Sequence, residues 1–280
     1  MFLDAAETNL HVEWGLDRID QRELPLDGVF DVEGTGEGVH VYILDTGLLT
    51  SHEEFQGRAN IAYDYFQEKG KDCQGHGTHV AGIIGGKTYG VAKEVFLHSA
   101  RALNCEGRGT VSSVLGAMDW VMKHATRPAV VSMSLGGDYS KSLTKMIERT
   151  VESGLPVIVA SGNDHGDACS SSPANSEEAI TVSASDINDR VAHFSNVGKC
   201  VDLFAPGVDI RSAWKDSKTD SRVQSGTSMA CPFVSGAVAV MLGNEPHLTP
   251  KEIKRRLLTK SSMVLQSTDK DTPNNLLYLN

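Results

Sequence analysis

Hydrophobic residues in this chain fall into short unbroken runs separated by mixed segments. VHVYILDTG, from Val39, is nearly continuous in apolar side chains, the pattern of a parallel strand covered on both faces. VFLHSARAL from Val95, AVVSMSLGG from Ala129, PVIVASGN from Pro156, AITVSAS from Ala179 and VDLFAPG from Val201 repeat the pattern. A different spacing lies between several of them. VSSVLGAMDWVMKHA from Val111 and KSLTKMIERTVESG from Lys141 carry apolar residues at intervals of three and four, which predicts amphipathic helices, the second stopped by Gly154. TPKEIKRRLLTKSS opens on Thr249, Pro250 and Glu252, a capping box with proline at the first helical position. The run through Ala230, Val234, Ala237, Val238, Val240, Met241 and Leu242 has almost no polar face. It predicts a buried central helix with Pro232 in its first turn. Strands alternating with helices predict an α/β fold with a mainly parallel central sheet flanked by helices. No repeat or linker divides the 280 residues, so one domain is expected.

Composition narrows the function classes. Against 26 Lys and Arg stand 36 Asp and Glu, a formal net charge of -10, and no overall field draws in a phosphate backbone. Nucleic acid is not an expected partner. No apolar run approaches the roughly 18 residues needed to span a bilayer, so no membrane partner is expected either. The start MFLDAAETNLHVEWG lacks the basic segment and apolar core of a signal peptide, as in a mature chain or a cytosolic one. Five cysteines, Cys73, Cys105, Cys169, Cys200 and Cys231, are too few for a disulfide scaffold and too scattered for a CxxC metal clip.

Candidate chemistry gathers where such a sheet places it, in the loops beyond the carboxyl ends of the strands. Asp45 closes one apolar run, Ser134 to Gly137 close another, and Asn163 follows a third. His76 lies in GHGTHVAG, and Ser228 heads the apolar run in GTSMACPFVSG. A serine hydroxyl attacks an acyl group at neutral pH only when a histidine takes its proton and a carboxylate orients that histidine. Each residue also has a structural reading. Ser228 could cap a helix; Asp45 and Asn163 could be turn residues. Cys73, His76 and His79, spaced by three, could be zinc ligands, although HExxH is absent.

In order, DTGLLTSHEEF, GHGTHVAG, SLGG, ASGN and SGTSMA resemble the signature segments of the subtilisin-like serine proteases. The order Asp, His, Ser is that of subtilisin, and Ser228 is not inside GxSxG. WGLDRIDQRELPL, TYGVAK, FSNVGKCVDLFAPG and NNLLYLN resemble the proteinase K and aqualysin branch. The resemblance implies a serine endopeptidase with Asp45 as orienting acid, His76 as general base and acid, Ser228 as nucleophile and Asn163 as oxyanion donor. It implies that Gly109, Thr110 and Val111 and the facing Ser134, Leu135 and Gly136 sandwich an extended peptide by backbone pairing. Ala160, Ser161 and Gly162 would complete the first specificity pocket. That pocket has no acid, so broad specificity with an apolar or aromatic preference is expected. Implied likewise are bridges Cys73 to Cys105 and Cys169 to Cys200, with Cys231 free. Structural calcium is implied at Asp202 with the carbonyls of Glu177 and Ala179, and at a second cluster of Asp17, Asp20, Gln21 and Asp27. The chain would be the mature peptidase domain, without propeptide or signal peptide, secreted, monomeric and acting on proteins or peptides. It departs from the pattern at Cys231 and Phe233, where the family usually has threonine and histidine, and at Ser161. A non-hydrolytic module of the same fold that binds a partner protein is the alternative from another class, and it need not keep Asp45, His76, Asn163 and Ser228 together.

Overall fold

The computed structural model describes residues 12–266 and 271–280; most of the opening segment read above for a signal peptide lies outside them. The helices are α1 (Trp14–Ile19), α2 (His76–Gly85), α3 (Val111–His124), α4 (Lys141–Glu152), α5 (Thr227–Asn244) and α6 (Pro250–Lys260). The strands are β1 (His40–Ile43), β2 (Ala59–Asp64), β3 (Phe96–Arg101), β4 (Ala129–Met133), β5 (Gly137–Asp138), β6 (Val157–Ala160), β7 (Ser171–Ser172), β8 (Ile180–Ser185), β9 (Leu203–Pro206), β10 (Ile210–Ala213) and β11 (Ser221–Gln224). Seven of them form one sheet in the order β2-β3-β1-β4-β6-β8-β9, parallel throughout. β10 with β11 and β5 with β7 make two short antiparallel ladders.

The apolar runs are explained by what covers each face. Side chains alternate across a strand, and here both sets are buried. Val41, Ile43, Val130 and Ile158 point into a core shared with Ile83 and Ile84 of α2 and Val234 and Val238 of α5. Tyr42, Leu44, Val131, Met133, Val157 and Val159 point into a second core with Val114 and Met118 of α3 and Leu143 and Ile147 of α4. Burying one Val, Leu or Ile side chain is worth about 1.5–3 kcal/mol, so neither face can be left bare.

α5 is buried around nearly its whole circumference, as its sequence predicts. By length and composition it is long and apolar enough to cross a membrane, contrary to the expectation from apolar run length, but 78% of it is buried inside the protein. Its N-cap is Gly226, so Pro232 sits in the second turn and not the first. A proline there removes the N–H that would bond to the carbonyl four residues back, that of Ser228. The hydroxyl of Ser134, at the end of β4, supplies the missing donor at 2.9 Å.

Candidate active site

The loop after β1 delivers Asp45, 1% exposed. Facing it is the start of α2, whose first residue is His76. The glycines around His76 make the approach possible. Gly75 caps α2 at φ +111°, where a Cβ would also strike the Trp214 ring at 2.5 Å, and a Cβ on Gly77 would lie 2.2 Å from the Gly47 carbonyl oxygen. Only glycine lets this backbone abut the Asp45 loop. In the resulting geometry His76 Nδ1 bonds to Asp45 Oδ1 at 2.8 Å and Oδ2 at 2.9 Å. Burial favours the neutral imidazole, but the Asp45 charge and hydrogen bond, with the nearby charge of Asp72, outweigh it and raise the His76 pKa above 6.5.

Ser228 stands in the first turn of α5, half-buried, on the cleft that His76 also lines. It is not the helix cap. Its hydroxyl donates to the Ser134 carbonyl at 3.2 Å. The capping acceptor comes from another segment: Asn163 Oδ1 takes the Thr227 N–H at 2.9 Å and the Thr227 hydroxyl at 3.0 Å. A backbone N–H can only donate, so the Asn163 oxygen must face Thr227 and the amide NH2 is turned away from it. Asn163 itself is exposed. With the Thr227 N–H taken by Asn163 and the Met229 N–H by the Gly226 carbonyl, the Ser228 N–H stands beside the Asn163 NH2, an arrangement a developing oxyanion requires.

The cleft has a volume of about 770 Å³. Gly109, Thr110 and Val111 line the cleft, as do Ser134, Leu135 and Gly136. Thr110 also caps α3 in a reciprocal capping box with Ser113. Ala160, Ser161 and Gly162 are not among the lining residues. Ala160 ends β6 and Ser161 and Gly162 follow it, with Ala160 and Ser161 buried and the Ser183 hydroxyl donating to the Ser161 hydroxyl at 2.9 Å. Glu106, Arg108 and Asp138 add exposed charge to the cleft, unremarked in the sequence reading.

Asp72 was not singled out from the sequence either. Its carboxylate is 3% exposed and accepts five hydrogen bonds. Thr46 Oγ1 (3.0 Å), Gln74 N (3.1 Å) and Gly75 N (2.7 Å) donate to Oδ1; Thr78 N (3.0 Å) and Thr78 Oγ1 (2.6 Å) donate to Oδ2. Thr46 follows Asp45, while Gln74, Gly75 and Thr78 surround His76. One buried charge therefore organises the backbone of both partners.

The zinc alternative is not assembled. Cys73 is bonded to Cys105, and His79 directs Nε2 at the carbonyls of Ile210 (3.2 Å) and Arg222 (2.9 Å). Cys169 pairs with Cys200, and Cys231 is free and buried, as expected; burial pushes its thiol up to about 11. The residues of the first calcium expectation meet around a side chain. Asp202 and the carbonyls of Glu177 and Ala179 do converge, but on Lys254: its Nζ donates to Glu177 O at 2.9 Å and Ala179 O at 2.7 Å and pairs with Asp202 Oδ2 at 2.8 Å. In the second cluster Asp17 accepts the N–H groups of Asp27 (3.3 Å) and Gly28 (2.9 Å), and Asp20 that of Asp31 (2.7 Å). Gln21 Oε1 accepts the Asp27 N–H at 3.2 Å. Burial raises the Asp17 and Asp20 carboxyls, backbone hydrogen bonds oppose this, and neighbouring like charges add to it. Among the described residues no three His, Cys, Asp or Glu side chains converge in metal-ligating geometry.

With this geometry in hand, a sequence model of the subtilase family (Peptidase_S8) matches residues 36–277. The chain belongs to the subtilase family. Among curated relatives, an extracellular serine proteinase of Thermus sp. (strain Rt41A) is 51% identical over 268 residues, covering 95% of this subtilase and 65% of the relative. Alkaline serine exoprotease A of Vibrio alginolyticus is 43% identical over 277 residues, covering 98% and 51% respectively. This subtilase therefore spans between half and two thirds of the length of these relatives. The crystal structure of a cold adapted subtilisin-like serine proteinase matches with a TM-score of 0.94 at 44% identity, covering 96% of this chain and 99% of that one.

Proposed function

We propose that this subtilase domain is a secreted serine endopeptidase of broad specificity. The observation that carries the reading is the bond from His76 Nδ1 to Asp45, made beside a cleft that His76 lines together with Ser228. Asp45 fixes the tautomer with Nε2 unprotonated, so that nitrogen is the base for the Ser228 hydroxyl. His76 then returns the proton to the leaving amine. Negative charge growing on the carbonyl oxygen is met by the Asn163 amide and the Ser228 N–H at the start of α5. An extended peptide pairs its backbone with the 109–111 and 134–136 segments, a mode that reads main chain more than side chain. Two disulfides favour an oxidising compartment, in line with the word extracellular in the name of the Thermus relative. We also propose structural calcium at Asp17, Asp20, Gln21 and Asp27, where the carboxylates lie near enough to repel one another although no three of them converge in ligating geometry. Calcium at a thousandfold excess over Kd stabilises by about 4 kcal/mol, so chelation lowers the melting temperature and Asp17→Ala abolishes that shift.

The test of catalysis is active-site labelling. A serine-directed fluorophosphonate should modify Ser228 alone and fail on Ser228→Ala and His76→Ala, with peptide hydrolysis lost in parallel, by roughly 10⁶ in kcat, the loss seen for such variants of subtilisin. Hydrolysis that persists in purified Ser228→Ala refutes the assignment.

A further inference from the structure

The Lys254 ammonium lies where the family resemblance expects a metal. An ammonium has three protons and no acceptor, and all three find oxygen: the carbonyls of Glu177 and Ala179 and the carboxylate of Asp202. These are hard oxygen donors of the kind calcium takes, from the same three residues. The carboxylate is held for the purpose, since Asp202 Oδ2 also accepts the Thr181 N–H at 2.9 Å and Asn275 Nδ2 holds the Asp202 carbonyl at 3.1 Å.

We propose that Lys254 is a resident cation, carried on α6, that replaces calcium at this position and makes the β8–β9 corner independent of the metal. Two features of the site argue for replacement over sharing. One positive charge balances one carboxylate, so a divalent ion entering beside the ammonium would meet net repulsion at close range. Glu177 O, Ala179 O and Asp202 Oδ2 already accept protons from the ammonium, and displacing it would leave a cation only 25% exposed without its partners. The tie also reaches further than a metal's would. It joins α6 to the segment entering β8 and the residue preceding β9, two positions past the Cys169–Cys200 bridge. The cavity here, about 260 Å³ and lined by Ser176, Lys199 and Cys200 besides the three site side chains Glu177, Asp202 and Lys254, leaves room for water around an ion if the lysine is cut back.

The inference is independent of the catalytic reading and is tested in a Ser228→Ala background, which prevents self-digestion. Calcium bound per folded chain is measured by equilibrium dialysis, with melting curves in calcium and in chelator. Lys254→Met should bind one more calcium ion than its parent and show a calcium-dependent rise in melting temperature larger than the parent's; Asp202→Asn added to it should remove both differences. Asp202→Asn in the parent should leave the number of bound ions unchanged. Equal counts in Lys254→Met and parent, or an ion lost in Asp202→Asn alone, overturn the proposal. Reductive methylation of the unmutated chain gives a readout that needs no variant to fold. Lys254 should stay protected relative to exposed lysines in saturating calcium, and calcium-induced labelling of Lys254 would mean that the metal displaces it.

Discussion

Replacing Asp72 by asparagine should weaken the fold and lower the His76 pKa together, because the same carboxylate serves both. The substitution keeps shape but turns one acceptor oxygen into a donor. The smaller loss faces the NH2 toward Thr78. The Thr78 N–H, formerly bonded to Oδ2 at 3.0 Å, is then buried without a partner, and the Thr78 hydroxyl must give up its 2.6 Å bond. That hydroxyl already accepts the Leu49 N–H at 3.0 Å, so it cannot turn freely. An unpaired buried donor costs about 1–3 kcal/mol and a hydrogen bond to a charged group about 1.5–3 kcal/mol, which together give roughly 2.5–6 kcal/mol. Facing the NH2 the other way strands Thr46, Gln74 and Gly75, and costs more. Melting of Asp72→Asn in a Ser228→Ala background measures the stability loss. The acid limb of kcat/KM in the active Asp72→Asn enzyme reports the His76 pKa. Burial lowers that pKa and Asp72 helps to raise it, so the limb should move toward lower pH while kcat at alkaline pH also falls through misplacement of His76. A variant that melts with its parent and keeps the parent's acid limb would falsify the reasoning.

The remaining predictions are briefer. With the His76 pKa raised above 6.5, the neutral base is lost as pH falls through that raised value, so the acid limb of the parent lies above 6.5; Asp45→Asn should shift it down and cut kcat by about 10⁴ through the wrong tautomer. Asn163→Ala should cost roughly 10² to 10³ in kcat with little change in KM, the loss of one oxyanion donor as known from subtilisin; an effect on KM alone would argue against the role. Ser134→Ala should cost about 1–3 kcal/mol in chemical denaturation, because the Ser228 carbonyl loses the donor that Pro232 cannot provide. His79 and His98 are held neutral, each lowered by burial to about 4, the former also by His76 and the latter by His40. Their contribution is therefore present above the unfolded value of 6.5 and lost as pH falls toward 4. His98→Asn should flatten that part of the stability profile.

The sequence made the central strands and α3, α4 and α6 legible because each either hides both faces or shows a polar one. β2 escaped notice because it is an edge strand, with Asn60 and Ile61 exposed and only one neighbour to cover it. α2 escaped for the opposite reason. HGTHVAGIIG is buried on nearly every side, so it has little periodicity, and its glycines read as loop. Asp45, His76 and Ser228 were readable because their spacing and flanking glycines form motifs. Asp72 and Lys254 were not: an aspartate in a glycine-rich loop reads as a turn, and a lysine on an amphipathic helix reads as solvated. What distinguishes Lys254 is a set of acceptors from distant segments, and what distinguishes Asp72 is five donors closing on one carboxylate, Thr46 alone from a distant segment; only the folded chain shows either.

The reciprocal bonds between Ser134 and Ser228 bear on how manufacturing error is kept out of the cleft. Ser134 belongs to a wall that the substrate would pair with, and Ser228 to the helix that would attack it. Each donates its hydroxyl to the other's carbonyl. On the proposed reading, the attacking hydroxyl would thus be gauged directly against the surface that would hold the bond to be cut. Pro232, by denying the Ser228 carbonyl its intrahelical partner, is what frees one half of that gauge to exist.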